Sequence, residues 1–371
     1  MTIQTKSDGI STQSDRQRTG PFVKLMRRPE LGAVAGTILI FLLFGLTAGH
    51  SGMFSARGIV SFLEVSAQLG ILAVAVAMLM IGGEFDLSLG SMIGFAGIIV
   101  AIPSTVLGWP IWACILLAFA AAVGVGYLNG LLVVKTRLPS FIVTLATLFI
   151  LRGLTLGATR MITGRTQIPG IKEIAAGDWL APLFNGQILG GFCVWLASIG
   201  IIGLRPDGVP EVRGLPISIL WWLVLLVAAT WVLLRTRFGN WIFAVGGDAN
   251  AARSTGVPVG RVKILLFILT ALAATLFAMV QVLSVGSADT SRGLQKEFEA
   301  IIAVVVGGTL LTGGYGSAIG ASFGALIFGT VQMGIFYTGI DTDWFKLFLG
   351  VMVLIAVLFN EYIRRKVTEA R

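Results

Sequence analysis

Residues 235–263 read RTRFGNWIFAVGGDANAARSTGVPVGRVK, a polar stretch held between long apolar runs at 216–234 and 263–285. Arg235, Arg237, Arg253, Arg261 and Lys263 stand in it against a single acid, Asp248. A hydrocarbon core of about 30 Å takes roughly 20 apolar residues of helix, and both flanking runs approach that length. Short basic loops mark the cytoplasmic side of a membrane protein. The stretch therefore decides class and orientation together: an all-α polytopic membrane protein with this loop in the cytoplasm.

Composition agrees. Of 371 residues, 56% are hydrophobic and 12% charged, against roughly 25% charged in soluble domains. Forty-eight glycines suit close helix packing where lipid offers no hydrophobic drive. The formal net charge of +9 gathers in the tails and a few short loops, which reads as topology and not as a nucleic-acid surface. Cys114 and Cys193 lie far apart in apolar runs and read as packing residues, not a disulfide. One histidine, His50, leaves no ligand set for a metal, and no catalytic residue stands out.

Counting outward, ten transmembrane helices are predicted at about 31–49, 62–82, 88–107, 111–134, 140–161, 216–234, 263–285, 297–312, 317–339 and 343–361. A cytoplasmic N-terminal tail (1–28), a transmembrane domain (29–363) and a cytoplasmic C-terminal tail (364–371) complete the chain. Lys135 and Arg137, the 235–263 loop and the C-terminal Arg364, Arg365 and Lys366 then share one side with the N-terminus. One segment threatens the count: Ile188 to Leu204 (ILGGFCVWLASIGIIGL), inside the long outer segment 160–216. A full crossing there would put 235–263 outside. The run is flanked by Pro182 and Pro206 and is predicted as a re-entrant or interfacial segment.

Two glycine-rich corners resemble each other: GGEFDLSLGSMIG from Gly82 to Gly94, and GGTLLTGGYGSAIG from Gly307 to Gly320. Both open with Gly-Gly, close with Gly-Ser-x-Ile-Gly, and return the chain to the membrane with small residues facing a neighbour. In the first, Glu84, Asp86 and Ser88 fit a helix N-terminus, where an acid meets the positive end of the dipole, or the cytoplasmic mouth of a pathway. Asn129, Arg152 and Gln332 are polar groups at membrane depth. Interhelical hydrogen bonds and snorkelling explain such residues, and contact with a polar solute is the sharper alternative. The loop Gly286 to Glu297 is expected as a mixed-charge outer surface, with Asp289 and Arg292 available to dock an extracytoplasmic partner.

Within 235–263, Gly246-Gly247 stops one element and Asp248 is a good N-cap for a short helix of two turns at most, ended by Gly256 and Pro258. Ala249, Ala251 and Ala252 would offer that helix a small face for a shallow groove on a partner. Gly247, Asp248, Ala251, Ala252, Arg253 and Gly256 are thus the candidate contact residues.

The residues TRFGNWIFAVGGDANAARSTGVPVGRVK resemble the cytoplasmic loop of permease subunits of ribose/xylose-type monosaccharide ABC importers. GGEFDLSLGS resembles their Gly-Gly-(Ile)-Asp-Leu-Ser-(Val)-Gly-Ser segment, and EFEAIIAVVVGGTLLTGGYGSAIGASFGALI their later glycine-rich segment. The likeness runs through most of 55–361 and keeps the order of the motifs. It departs where Glu84-Phe85 replaces a single residue before Asp86, and where 160–216 exceeds the usual outer loop. The resemblance implies a permease dimer in the bacterial inner membrane, two cytoplasmic ATPase subunits that bind the ATP and Mg, and a periplasmic sugar-binding protein. The chain itself has no G-x-x-x-x-G-K-[ST] phosphate loop, so an ATPase must act in trans. An ion-coupled secondary transporter would need buried acids at mid-membrane breaks, and an intramembrane enzyme a catalytic cluster at depth; the acids here are expected at helix ends.

Overall fold

A computed structural model describes residues 29–341, 343–352, 354, 355 and 358, so both tails, 1–28 and 364–371, lie outside the described residues. The apolar runs become helices α1 (Pro29–Ala48), α2 (Ala56–Ile81), α3 (Leu89–Val106), α4 (Ile111–Thr136) and α5 (Ser140–Thr163). After the 160–216 segment come α9 (Ile217–Arg235), α10 (Arg237–Gly247), α11 (Ala249–Ser254), α12 (Val259–Val285), α13 (Lys296–Val306) and α14 (Ala318–Thr338). The chain is helical again over 344–352. Among the described residues eight helices are long and apolar enough to cross a membrane: α1 to α5, α9, α12 and α14.

These helices form two layers. The most apolar windows of α2, α3, α12 and α14 are 61% to 67% buried, against 22% to 33% for α1, α4, α5 and α9. The inner four make the core, with Leu72, Leu79, Ile93, Phe267 and Phe328 fully enclosed. The outer four turn Leu39, Phe149, Val227 and Leu234 outward. Contact between layers relies on small residues. Gly126 and Gly130 of α4 are spaced as in G-x-x-x-G, and a Cβ on either would lie 2.6 Å from the Cα of Ile268 or Ile264 on α12. Such spacing lets two backbones touch, the main source of helix affinity in lipid.

Two predicted spans come out differently. The span at 297–312 is the 11-residue α13, a rise of about 16 Å at 1.5 Å per residue, half a crossing. The reason is the preceding loop. Residues 286–295 run beside α3, with Ala288, Thr290 and Gly293 buried and Ser291, Leu294 and Gln295 exposed. A Cβ on Gly293 would meet the Gly90 oxygen at 2.3 Å, and one on Gly94 the oxygens of Arg292 and Thr290 at 3.1 Å. Irregular backbone at depth is tolerated where protein covers it, and here it occupies the depth that a full helix would need. The span at 343–361 lies partly outside the described residues.

The 160–216 segment packs against the opposite end of the bundle from 235–263. It holds β1 (Gln167–Ile168), α6 (Ile171–Ala175), α7 (Pro182–Asn185), β2 (Gln187–Ile188), α8 (Gly190–Ser198) and β3 (Leu215–Pro216). β2 pairs with β3, and β1 pairs antiparallel with β4 (Ala288–Asp289), which ties this segment to the loop before α13. Of Ile188 to Leu204, only the nine residues of α8 are α-helical, about 13 Å. A helix of that length is less than half of what a hydrocarbon core of about 30 Å requires. Cys193 and Ala197 pack it on Ala56 and Val60 at the start of α2, while Phe192, Trp195 and Ile199 stay exposed. Cys114 and Cys193 are both free and buried.

If the α4–α12 contact carries the packing, Gly130→Leu should lower the melting temperature of the detergent-purified protein by several degrees, an overpacking cost of about 1–3 kcal/mol. Gly124→Ala, whose Cβ meets nothing within 4 Å, should match or exceed wild type. Equal melting of Gly130→Leu and wild type by differential scanning fluorimetry would refute the contact.

Candidate functional site

The polar loop folds as two helices in succession. Thr236 caps α10, accepting from Gly239 N at 3.1 Å, and Ile242 and Val245 of α10 are buried. Only the second helix, α11, was foreseen. Asp248 joins them, and its Oδ1 accepts from Asn250 N at 2.8 Å and Ala251 N at 3.0 Å. These N–H groups, Ala251 first, hold its carboxyl below the usual carboxylate range. Gly256 ends the turn at φ +87°. Gly247, Asp248, Ala251, Arg253 and Gly256 are exposed. Ala252 is not: it is 4% exposed and joins the hydrophobic core. The amphipathic period of so short a helix had not distinguished Ala251 from Ala252, and the outward face is the one carrying Ala251.

Below this loop the two glycine-rich corners meet. Each ends its preceding helix in the same way. Gly83 N donates to Met80 O and Glu84 N to Leu79 O, at 2.9 and 3.2 Å; Gly308 N and Thr309 N donate to Val305 O and Val304 O at the same distances. Gly83 and Gly308 sit at φ +81° and +87°, the left-handed position that closes a helix of this type. Gly314 N then donates to Ile81 O at 2.8 Å, joining corner to corner. Gly246 of α10 lies on that bond, where a Cβ would be 1.8 Å from Ile81 O and 2.6 Å from Gly314 N. Three glycine pairs, 82–83, 246–247 and 313–314, thus meet at one junction, in which Gly246, Gly313 and Gly314 have no room for a side chain and Gly247 is open to the outside.

Beyond the junction the first corner climbs into the bundle in extended form. Its amides are met by side chains: Phe85 N donates to Ser140 Oγ at 3.1 Å and Leu87 N to Thr144 Oγ1 at 3.0 Å. Glu84 forms an ion pair with Lys263 of α12. The pair is partly buried, its side chains 21% exposed at Lys263 and 8% at Glu84, and it ties the corner to α12. Asp86 is 4% exposed and Ser88 2%. Ser88 precedes α3 but makes no side-chain cap bond. Asp86 instead accepts from Ser88 N at 2.9 Å and from Thr270 Oγ1 at 2.8 Å. Asn129 Nδ2 donates to Ser88 Oγ at 3.0 Å, and Thr147 Oγ1 to Asn129 Oδ1 at 2.6 Å. Asp86, Ser88 and Asn129 are therefore one network linking α3, α4, α5 and α12, and not a water-facing helix end.

The remaining candidates separate. Arg152 interacts electrostatically with Glu297, whose carboxylate lies where a Cβ on Gly90 would stand, 1.9 Å from Oε2. Asp289 belongs to β4, half-buried, with Oδ1 accepting from Ser291 N at 2.7 Å. Arg292 is half-buried and stays beside it, its backbone N donating to Asp289 O at 3.1 Å. It lines an interior cavity of about 270 Å³ with Gln332, Gln68, Gln281, Lys296 and Glu299. The sequence pattern did not single out Gln68, Lys263, Thr270 or Glu297 as a set. A glutamine or threonine inside an apolar run is the signal that could have drawn attention to them.

A family model described as branched-chain amino acid transport system / permease component matches residues 58–357. The xylose transport system permease protein of Escherichia coli (strain K12) is 31% identical over 363 residues, 90% of this chain and 92% of that protein. The ribose import permease protein of the same strain is 30% identical over 341 residues, 91% and 95% of the two chains. The fructose import permease protein of Rhizobium meliloti is 29% identical over 329 residues, 88% and 84%. No solved structure matches the chain.

The cap on α11 is open to test by amide hydrogen exchange. Asp248→Ala should speed exchange at Asn250 and Ala251, and Asp248→Asn, which keeps an acceptor, should restore most of the protection. Because the folded carboxyl sits below its unfolded range of about 3.9, its contribution is complete above that pH and is lost as pH falls through the lower folded value. Identical exchange in Asp248→Ala and wild type would show that the cap does not hold the helix.

Proposed function

This chain belongs to the permease family described as branched-chain amino acid transport system / permease component, and from that premise we propose how its parts share the work of import. It is the membrane permease of a monosaccharide ATP-binding-cassette importer, a transport subunit and not an enzyme. The relatives carry xylose, ribose and fructose in their names, so the solute class is a neutral pentose or hexose or a similar small polyol. It works as a multi-pass protein of the bacterial inner membrane.

The end carrying 235–263 faces the cytoplasm in this reading. Lys135, Arg137, Arg235, Arg237, Arg253 and Arg261 cluster there, as basic residues do on the inner side. ATPase subunits, which hold the ATP and Mg, press on the exposed face of α11, where Gly247, Asp248, Ala251, Arg253 and Gly256 are available. The opposite end, with 160–216 and Asp289, receives a periplasmic sugar-binding protein. A second copy of the chain completes a homodimer around the pathway.

The observation that carries the coupling role is the seat of Gly246. A helix pushed from outside bears through one backbone contact on both glycine corners at once. The first corner leads to Asp86 and Ser88, the second leads from α13, whose first turn holds Glu297. Packed backbone does not yield gradually, so a displacement of α10 is passed on as a shift of both corners. Coupling of this kind needs contacts that differ between the two states, and nucleotide-driven closure of an ATPase pair supplies them.

Ala251→Arg changes only the exposed face of α11 and tests the assignment. In proteoliposomes holding the full complex, ATP-driven uptake of xylose, ribose or fructose should fall about tenfold or more, the size of a typical coupling energy, with melting temperature unchanged. Wild-type uptake by this variant would remove α11 from the coupling contact.

A further inference from the structure

The 235–263 stretch holds the first corner at two points. Through α10 it bears on Ile81, at the seat of Gly246. Its last residue, Lys263, stands in the second turn of α12 and forms an ion pair with Glu84, three residues further along the same corner. Helix α11 lies between these two attachments in the chain, joined to α10 at Asp248 and to α12 by residues 255–258. That short turn is bonded at both ends: Val257 N donates to Ala252 O at 3.0 Å, and Val262 N to Pro258 O at 3.1 Å. A displacement of α11 therefore reaches the corner from both sides.

The corner meets α12 twice, and the two contacts differ in kind. Glu84 and Asp86 are alternate residues of an extended segment, roughly 7 Å apart and turned the same way. Lys263 and Thr270 are about two helical turns apart and share one face of α12. The two acids fall on these two residues: Glu84 on Lys263, and Asp86 on Thr270, whose Oγ1 donates at 2.8 Å. Asp86 and Thr270 are both buried. Parting them would leave a carboxylate oxygen enclosed without its donor, so the inner contact stays made. The pair of Glu84 with Lys263 is partly open to water. Water solvates both charges as such a pair separates, so it opens at little net cost. Among the described residues the other ion pair, Lys296 with Glu299, lies within one helix, and Glu84–Lys263 is the one that joins separate segments.

We infer that the Glu84–Lys263 pair is a releasable latch between the coupling loop and the first corner, closed in one transport state and open in the other, and that Glu84 and Lys263 are positioning residues for the coupling of ATP hydrolysis to uptake. The inference rests on the permease reading. Closed, the latch makes the corner and the start of α12 move as one body when α11 is displaced. Open, it leaves the corner to the seat of Gly246, while Asp86 and Thr270 keep it on the same face of α12. A contact present in one state and absent in the other is what lets a push at α11 favour one of them. Without the latch the ATPase subunits still close and hydrolyse, and less of that motion reaches the bundle.

Charge exchange tests the latch. In proteoliposomes holding the full complex, Glu84→Gln and Lys263→Met should each lower ATP-driven uptake of D-xylose, D-ribose or D-fructose about tenfold, with ATP hydrolysis within about twofold of wild type. The swap of Glu84→Lys with Lys263→Glu remakes the pair in reverse and should recover roughly half of the uptake or more. Wild-type uptake by either neutral variant overturns the latch, as does a swap that melts like wild type and recovers nothing. Loss of hydrolysis together with uptake also overturns it, because a latch carries motion and not the ATPase reaction. If the swap does not fold, the neutral variants decide between these outcomes. Amide hydrogen exchange reads the latch without a sugar. Vanadate trapping of the wild-type complex should change exchange at the Phe85 and Leu87 amides, which Ser140 and Thr144 hold at rest, and Glu84→Gln should abolish that change. If wild type imports none of the three sugars, the monosaccharide reading fails, and the exchange result alone upholds or overturns the latch.

Discussion

The polar loop joins the bundle at a place where a Cβ cannot exist. At Gly246 three segments far apart in sequence approach to backbone contact, and the bond from Gly314 N to Ile81 O passes beneath it. A methyl group there would stand 1.8 Å from an oxygen, well inside van der Waals contact. The close approach converts a polar loop into part of the bundle. Ile242 and Val245 of α10 and Ala252 of α11 add buried side chains to the same attachment.

The second constraint is the cost of irregular backbone at membrane depth. An unpaired amide in hydrocarbon costs several kcal/mol, yet 84–88 and 286–290 are both non-helical and both contain no exposed residue. The chain meets this in two ways. Along the first corner, side chains of α5 accept the amides of Phe85 and Leu87, and Asp86 accepts that of Ser88. Along the second, the backbone of 286–290 pairs with 166–171: Ile171 N donates to Gly286 O at 3.1 Å and Thr290 N to Thr166 O at 3.0 Å. The same arrangement that satisfies the backbone brings Asp86, Glu297 and Arg292 into the interior, so the polar lining of the bundle is a by-product of breaking its helices.

Reading the residues alone went far in some places and misled in others, for identifiable reasons. Asp248 followed by a short run and Gly256 carries its structure locally, because a cap is a contact between neighbours in the chain. The likeness of the two corners was also legible, and the matching bonds at Gly83 and Gly308 explain it. Ala252 was misjudged because a two-turn helix shows too little of its period to say which alanine faces in. The loop from Gly286 to Glu297 looked like a solvent surface by its charges; Arg292 and Glu297 are instead enclosed by α3, α13 and α14. Lys263 looked like a topology anchor, and its partner Glu84 lies far away in sequence.

The amino-acid sequence by itself determined the class, the long membrane helices, the polar loop and its capped helix, since apolar run length, turn residues and caps act over a few neighbouring residues. It also carried the family. Tertiary structure alone decided that α13 stops after 11 residues, that the 188–204 run holds only a nine-residue helix, that three glycine pairs share one junction, and that three glutamines and an arginine line one cavity. Those outcomes depend on which backbones approach to contact, and that is set by the packing of the whole bundle, where a missing side chain on one helix matters only because of what another helix brings to it.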